Sequence, residues 1–358
     1  MFLAINEMKQ AKLRYGLIMG LLFLIAYLMF FLSGLSFGLM QENRSAVDKW
    51  DADTVLLSKD ADASLNLSSL EADQISTIKA DKVAPLAQLG SVTWSVKKPT
   101  ETDKEKVSFF GIDPKTFLKP TLTKGRMFQS DQEVVIDEIM AEKGGFQLGD
   151  KLYVSSLDKG FTIVGYTNKA SFSVAPVAYM TLEAFQELKY GDRATKQPKQ
   201  VNAFIVQGKL DSYPKADFQK LTISDFITKL PGYSAQNLTF GFMIGFLIVI
   251  SAIIIGIFMY VLTIQKAPIF GIMKAQGISN KTIANAVLSQ TFILSLLGSS
   301  FGLLGTWLSS QVLPAAVPFQ SNWYLYALIL VAMVTFAVMG TLFSVLAIVR
   351  IDPLKAIG

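Results

Sequence analysis

The 358-residue sequence contains no cysteine and no histidine, and charged residues make up only 17% of it. The first two absences exclude a disulfide framework, zinc sites of the Cys/His type and catalytic triads that use histidine. No Gly-x-x-x-x-Gly-Lys-Ser/Thr segment occurs, so the chain lacks a Walker-type loop for nucleotide phosphates. The sequence therefore predicts a protein that is not an enzyme, with no catalytic residue, no metal site and no intrinsic cofactor.

Charge is missing altogether from three long stretches, residues 15–40, 238–265 and 282–349. A helix needs about 20 apolar residues to cross a bilayer, so each of the first two stretches predicts one transmembrane helix. The third is too long for one crossing and is interrupted by Pro314 and Pro318. It predicts two helices at 282–313 and 323–349, joined by an outer loop at 314–322. A cleaved signal peptide is the alternative for the first stretch, but its apolar core is only about 7–15 residues long.

The composition changes between the first two apolar stretches, because residues 41–237 are rich in Asp, Lys, Ser and Thr. Short β-branched or aromatic runs alternate there with helical periodicity, which predicts one water-soluble mixed α/β domain. The predicted strands are 54–57, 107–110, 134–136, 151–154, 161–164 and 203–206, and the predicted helices are 139–143 and 182–188. Residues 111–114 predict an exposed loop, and the neighbouring carboxylates of Asp137 and Glu138 are interpreted as solvated surface. The fold class is thus an α-helical membrane protein with four transmembrane helices and one α/β domain between the first and second.

Basic residues near the ends of the apolar stretches indicate the orientation. They are Lys9, Lys12, Arg14, Lys266, Lys274, Lys281, Arg350 and Lys355, against only Glu7 and Asp352 in the same segments. Because basic loops stay in the cytoplasm, both termini are predicted to be cytoplasmic and the 41–237 domain extracytoplasmic. The formal net charge of +5 then reflects membrane topology, and no nucleic acid partner is expected.

The two chain ends predict short cytoplasmic segments. Residues 1–14 alternate apolar and charged side chains, which favours a helix that lies in the lipid interface before the first span. Residues 350–358 form a tail in which Asp352 and Pro353 are typical of a helix start.

Residues 266–281, between the second and third spans, predict a short amphipathic cytoplasmic helix. Pro268 suits its first turn and Gly277 its left-handed end, after which Ser279 is expected to cap the next helix. Ile269, Ile272 and Met273 share one face by their spacing. That face fits either lipid or a partner protein.

Several segments resemble the FtsX-like permease subunits of ABC transporters, of the MacB and LolC/LolE kind. They are residues 270–279 after the second span, 351–358 after the last span, and 133–137, 149–152 and 161–165 in the soluble domain. The order of one span, a large extracytoplasmic domain and three further spans extends this resemblance over the whole chain. A finer resemblance, to the HrtB branch of haem-efflux permeases from Gram-positive bacteria, rests on residues 4–7, 12–15, 33–43 and 263–266.

The resemblance implies a multi-pass plasma-membrane protein that works as a homodimer. A separate HrtA-like ABC ATPase would hydrolyse ATP and dock on residues 266–281, so that its closure moves the spans and the soluble domain. The residues implied at this contact are Ile269, Gly271, Ile272, Met273, Lys274 and Gly277.

Haem is the substrate that the finer resemblance implies. Without His or Cys, the iron would need an oxygen or thioether ligand, or binding would rest on the propionates and the apolar faces. The candidate residues, where the spans meet the soluble domain, are Glu42, Arg44, Tyr233, Gln236, Phe37 and Phe240. Arg44 would pair with a propionate, Tyr233 would ligate iron or hydrogen-bond a propionate, and the two phenylalanines would stack on the ring. The alternative for Arg44 and Tyr233 is an interfacial anchor at a span end.

Two other functions are compatible with the same layout. One is the export of an antimicrobial peptide, a lipid or another amphiphile. The other is a non-transporting FtsX-like subunit that transmits ATPase movements across the membrane to a cell-wall enzyme.

Overall fold

The computed structural model describes residues 12–95, 100, 104–155, 157–196, 198–314 and 317–349. The chain divides into two compact units, a membrane unit of Met1–Gly38 with Leu238–Gly358 and a soluble unit of Leu39–Asn237. Residues 1–11 of the predicted interfacial helix 1–14, and the whole tail 350–358, lie outside the described residues. Residues 12–14 are the first residues of the helix that forms span one.

In chain order the α-helices are α1 (Lys12–Asp48), α2 (Glu138–Gly144), α3 (Leu182–Tyr190), α4 (Ile223–Thr228), α5 (Tyr233–Gln265), α6 (Ala267–Ala275), α7 (Asn280–Ser310) and α8 (Trp323–Val349). The strands are β1 (Thr54–Ser58), β2 (Leu70–Glu71), β3 (Lys79–Trp94), β4 (Glu105–Ile112), β5 (Leu122–Gly125), β6 (Glu133–Asp137), β7 (Lys151–Val154), β8 (Leu157–Thr167), β9 (Ser171–Phe172), β10 (Ala175–Thr181), β11 (Gln200–Val201), β12 (Ala203–Ser212) and β13 (Phe218–Thr222). Each strand and helix predicted in the soluble domain lies within one of these elements.

Four of the described helices, α1, α5, α7 and α8, are long and apolar enough to cross a membrane. Two of them are longer than the uncharged stretches that predict them, since α1 continues to Asp48 and α5 already begins at Tyr233. Each of these two helices therefore contributes its terminal turns to the soluble unit.

Glycines bring pairs of these helices into close contact. A Cβ atom at Gly302 of α7 would lie 2.6 Å from the Cβ of Ala26 and 2.7 Å from the backbone nitrogen of Tyr27, both on α1. A Cβ at Gly340 of α8 would lie 2.6 Å from the carbonyl oxygen of Ala252 on α5. Small residues let helix backbones approach in this way, so α1 packs on α7 and α5 packs on α8.

The soluble unit is built on a mixed sheet with the strand order β13-β1-β12-β3-β4-β10-β6-β8-β5. Strand β7 pairs with β3 and β8, β9 pairs with β10, and β2 and β11 form a separate ladder. Adjacent residues of β1 point to opposite faces of the sheet: Val55 and Leu57 join one apolar cluster and Leu56 joins another. The domain thus has an apolar core on each face of its sheet. The end of α1 contributes Ala46 and Val47 to the first of them, and the turn that follows contributes Trp50.

The prediction of an exposed loop at residues 111–114 is wrong for its first two residues. Gly111 and Ile112 are the last residues of β4, where they pair with Ala87 and Leu86 of β3. Both are buried. The turn begins only at Asp113, whose carboxylate accepts the N–H of Lys115.

The interpretation of Asp137 as solvated surface is also wrong, because this side chain is fully buried at the end of β6. Its carboxylate caps α2 by accepting the N–H of Ile139 at 2.9 Å, and it accepts the N–H of Ala170 at 2.6 Å. Burial raises the pKa of Asp137 above its usual value, while the two N–H groups and the nearby Lys49 ammonium act against that rise. Asp137 therefore ties α2 to the segment that leads into β9.

Replacing Asp137 with alanine is expected to lower the free energy of unfolding by about 2–4 kcal/mol. The change removes a helix cap and also leaves the N–H of Ala170 without its acceptor. The matched control is Thr222→Ala, because the hydroxyl of Thr222 caps α4 at an exposed position by accepting the N–H of Asp225 at 3.1 Å. The control should lose only about 1 kcal/mol. Urea unfolding of both purified variants, followed by tryptophan fluorescence, measures the difference, and equal losses would contradict the assigned role.

Candidate functional site

A polar cluster lies where the last turns of α1 meet the first turn of α5, within the soluble unit. Its members, called the Arg44 cluster below, are Asn43, Arg44, Asp48, Tyr233 and Gln236. Three of the sequence candidates, Arg44, Tyr233 and Gln236, are therefore brought together by the fold.

Arg44 is held by two partners. Residues four apart on a helix are neighbours, and the Nε of Arg44 donates to both carboxylate oxygens of Asp48, at 2.9 and 3.1 Å. Its Nη2 donates to Asp48 as well, and its Nη1 donates to the hydroxyl of Tyr233 at 3.2 Å. These bonds use three of the five N–H groups of the guanidinium. The other two N–H groups bond to none of the described residues and can bind an anionic ligand.

Tyr233 positions Arg44 from inside the domain. Its side chain is only 6% exposed, because the ring packs in the same apolar cluster as Trp50 and Phe226. A phenol that is buried and already accepts a hydrogen bond is poorly placed to bind iron. The structure therefore favours a hydrogen-bonding role for Tyr233 over iron ligation.

A second pair connects the two helices. The side-chain amide of Asn43 donates to the Oε1 of Gln236 at 2.9 Å and to the carbonyl of Leu39 at 3.2 Å. Asn43 is itself buried, so this pair fixes the distance between α1 and α5 at their junction.

Glu42 contacts the neighbouring hairpin through its backbone. Its carbonyl accepts the N–H of Val174 at 3.2 Å, and the carbonyl of Asn43 accepts the N–H of Ser173 at 3.1 Å. Among the described residues the Glu42 carboxylate is not one of the hydrogen-bonding groups of the Arg44 cluster. Phe37 and Phe240 are half-buried and belong to the membrane unit.

Sequence reasoning missed Asp48 and Asn43. The spacing of Arg44 and Asp48 is a recognisable signal for an ion pair on a helix, whereas nothing in the sequence connects Asn43 with Gln236. Across the described part of the chain, no group of three or more acidic side chains is arranged to hold a metal ion.

The second candidate site is the short helix α6, called the coupling helix below. Pro268 lies in its first turn, and Gly277 follows it with a φ of 84°, as the sequence predicts. The N–H of Gly277 donates to the carbonyl of Lys274, and the N–H of Ile278 donates to that of Met273, which closes the end of the helix.

The coupling helix has an inner and an outer face. Phe270 is 2% exposed and packs with Leu262 and Ile283 of the adjoining spans. Met273 is half-buried against the same cluster and Gly271 is buried, so these two candidates belong to the inner face. Ile269 and Ile272 are 54% and 48% exposed, so none of the described residues covers this apolar surface. The prediction that Met273 shares a face with Ile269 and Ile272 is therefore wrong.

Known proteins match the chain over nearly its whole length. Residues 15–213 match the model of the MacB-like periplasmic core domain, and residues 241–353 match that of the FtsX-like permease C-terminal region. A Staphylococcus epidermidis permease named for a hemin transport system, HrtB, is 28% identical over 367 residues, which cover 100% of this chain and 99% of that protein. An ABC transporter permease of Mycobacterium tuberculosis, described as uncharacterized, is 24% identical over 365 residues with the same coverage. Among solved structures, the periplasmic region of MacB from Actinobacillus actinomycetemcomitans is 12% identical with a TM-score of 0.34, covering 48% of this chain and 89% of its own.

Proposed function

Since the chain belongs to the MacB-like, FtsX-like family of ABC transporter permeases, we propose that it is the membrane subunit of a pump that exports haem, driven by a separate HrtA-like ATPase. Catalysis of ATP hydrolysis then belongs to the partner. The full-length similarity to a permease named for hemin transport supports haem as the substrate.

The observation that carries the haem assignment is the guanidinium of Arg44. Its side chain is 31% exposed, it is held in place by Asp48 and Tyr233, and it retains N–H groups for a carboxylate. A haem presents two propionate carboxylates on an otherwise apolar ring. Paired N–H groups of a fixed arginine suit such a carboxylate. Binding of this kind needs neither His nor Cys.

The outer face of the coupling helix supports the ATPase as partner. Ile269 and Ile272 form an exposed apolar surface beside the basic Lys274. On the inner face, the buried Phe270 packs the helix against the adjoining spans. We assign the contact to Ile269, Ile272 and Lys274, with Gly277 fixing the end of the helix. Movement of the ATPase would reach the spans through Phe270.

The charge distribution supports the orientation. In the proposed topology both termini and the coupling helix face the cytoplasm, and residues 41–237 lie outside the plasma membrane of a Gram-positive cell. The working unit is a homodimer of this permease with its ATPase subunits, embedded in membrane lipid.

Growth on a haem gradient tests the proposal. A strain that lacks this gene is expected to stop growing at a lower haem concentration than its parent, and a plasmid copy of the gene should restore growth. A parallel gradient of a cationic antimicrobial peptide is the control and should not separate the strains. Unchanged haem tolerance would sink the haem assignment, and a defect confined to the peptide gradient would favour export of another amphiphile.

A further inference from the structure

A part-buried polar contact joins the start of span one to the coupling helix. Tyr15 is 2% exposed, and its hydroxyl accepts a hydrogen bond from the ammonium of Lys266 at 2.7 Å. The same hydroxyl donates to the Oε1 of Gln290 at 3.3 Å, and the Lys266 nitrogen lies 5.3 Å from the centre of the Tyr15 ring. These three residues, the Tyr15 triad, all belong to the membrane unit.

The triad joins four helices at one point. Tyr15 lies on α1, Gln290 lies on α7 with 2% exposure, and Lys266 stands between α5 and α6. The backbone of Lys266 is part of both neighbouring helices, because its N–H donates to the carbonyl of Leu262 and its carbonyl accepts the N–H of Phe270. The coupling helix therefore begins at the residue that holds Tyr15.

The surroundings make this contact strong and specific. Tyr15 packs in an apolar cluster with Ile18, Leu262, Phe270 and Ile283. A hydrogen bond from a charged donor is stronger in such surroundings than in water, and a buried group that loses its partner is left unsatisfied. The coupling helix cannot shift without either carrying Tyr15 with it or breaking this bond.

We propose that the Tyr15 triad transmits the movement of the coupling helix to span one. The helix α1 begins at Lys12, so Tyr15 lies in its first turn. Tyr15, Lys266 and Gln290 are then positioning residues that link ATPase docking to span one. This inference rests on the proposed function for its outcome in transport, but the mechanical tie is a property of the permease alone.

The tie is tested first on the isolated permease by hydrogen exchange. Tyr15→Phe keeps the ring and removes both hydrogen bonds of the hydroxyl. The backbone N–H groups of residues 267–275 are then expected to exchange about tenfold faster than in the unmodified protein. The control is Tyr27→Phe, because the hydroxyl of Tyr27 joins α1 to Ser309 of α7 at 3.0 Å and is not part of the triad. Unchanged exchange in Tyr15→Phe, or equal acceleration in both variants, would show that the Tyr15 triad does not hold the coupling helix to span one.

Transmission is tested on the permease with its ATPase in liposomes. Tyr15→Phe is expected to retain ATPase binding and ATP hydrolysis but to export about tenfold less haem for each ATP hydrolysed. Lys266→Met should match this loss, and Lys266→Arg, which keeps a charged donor, should recover part of it. An unchanged ratio, or a parallel fall of hydrolysis and export, would overturn transmission through the triad. If the proposed function is wrong, the unmodified permease itself will bind no ATPase or export no haem. The hydrogen-exchange experiment would still show whether the Tyr15 triad connects the coupling helix to span one.

Discussion

Replacing Ile272 with aspartate is expected to abolish co-purification of the ATPase with the permease. Ile272 is half-exposed on the outer face of the coupling helix and is not part of the apolar cluster beneath it. Docking would bury this side chain, a contribution of about 1.5–3 kcal/mol that the substitution removes. Burying a carboxylate in its place adds a desolvation cost, so the complex should weaken by about 100-fold or more.

The matched control for this variant is Gln276→Glu. Gln276 is exposed in the same segment, so the substitution adds the same charge close by without removing an apolar contact. It should retain the ATPase at the ratio of the unmodified protein. Ile272→Asp must also elute as a folded permease in size-exclusion chromatography. Normal recovery of the ATPase with Ile272→Asp would show that docking lies elsewhere.

Replacing Arg44 with alanine is expected to weaken haem binding about ten- to a hundredfold, the loss of one charge-assisted contact to a carboxylate. Asp48→Asn should act in the opposite direction, because it removes a negative charge that repels a propionate, while the amide oxygen still accepts a hydrogen bond from Arg44. Tyr233→Phe should have a smaller effect, since the buried ring remains and only the bond to Arg44 is lost. Titration of each purified variant with haem, followed by absorbance, measures these differences.

Arg126→Ala is the control for Arg44→Ala. Arg126 also pairs with a carboxylate of the soluble unit, that of Glu133, but it lies outside the Arg44 cluster. Its removal should leave haem binding unchanged. If both arginine variants bind haem as the unmodified protein does, Arg44 and Tyr233 are interfacial anchors and the binding site is elsewhere.

Local signals in the sequence predicted the helical part of the fold. The length of the uncharged stretches identified the spans, and residue preferences at helix ends identified the caps. Ser279 accepts the N–H of Thr282 at 3.2 Å, and Gly277 has the positive φ that the sequence predicts. These features depend on residues a few positions apart, so the sequence alone carries them.

The sheet was harder to predict because its order depends on distant partners. The long strand β3 was missed, since Pro85 and Gly90 interrupt its pattern and both normally disfavour a central strand. The burial of Asp137 was missed for the same reason. Its carboxylate bonds to the N–H of Ala170, 33 residues further along the chain, and no local pattern connects the two residues. In the Arg44 cluster the two halves come from opposite ends of the soluble domain, so the sequence could suggest the participants but not that Tyr233 holds Arg44.

Haem bound at Arg44 would be visible in the absorbance spectrum of the permease purified from membranes of cells grown with haem. We expect a haem Soret band that co-elutes with the unmodified protein, is strongly reduced in Arg44→Ala and is retained in Arg126→Ala. A colourless unmodified permease, or a band of equal height in Arg44→Ala, would contradict haem binding at Arg44.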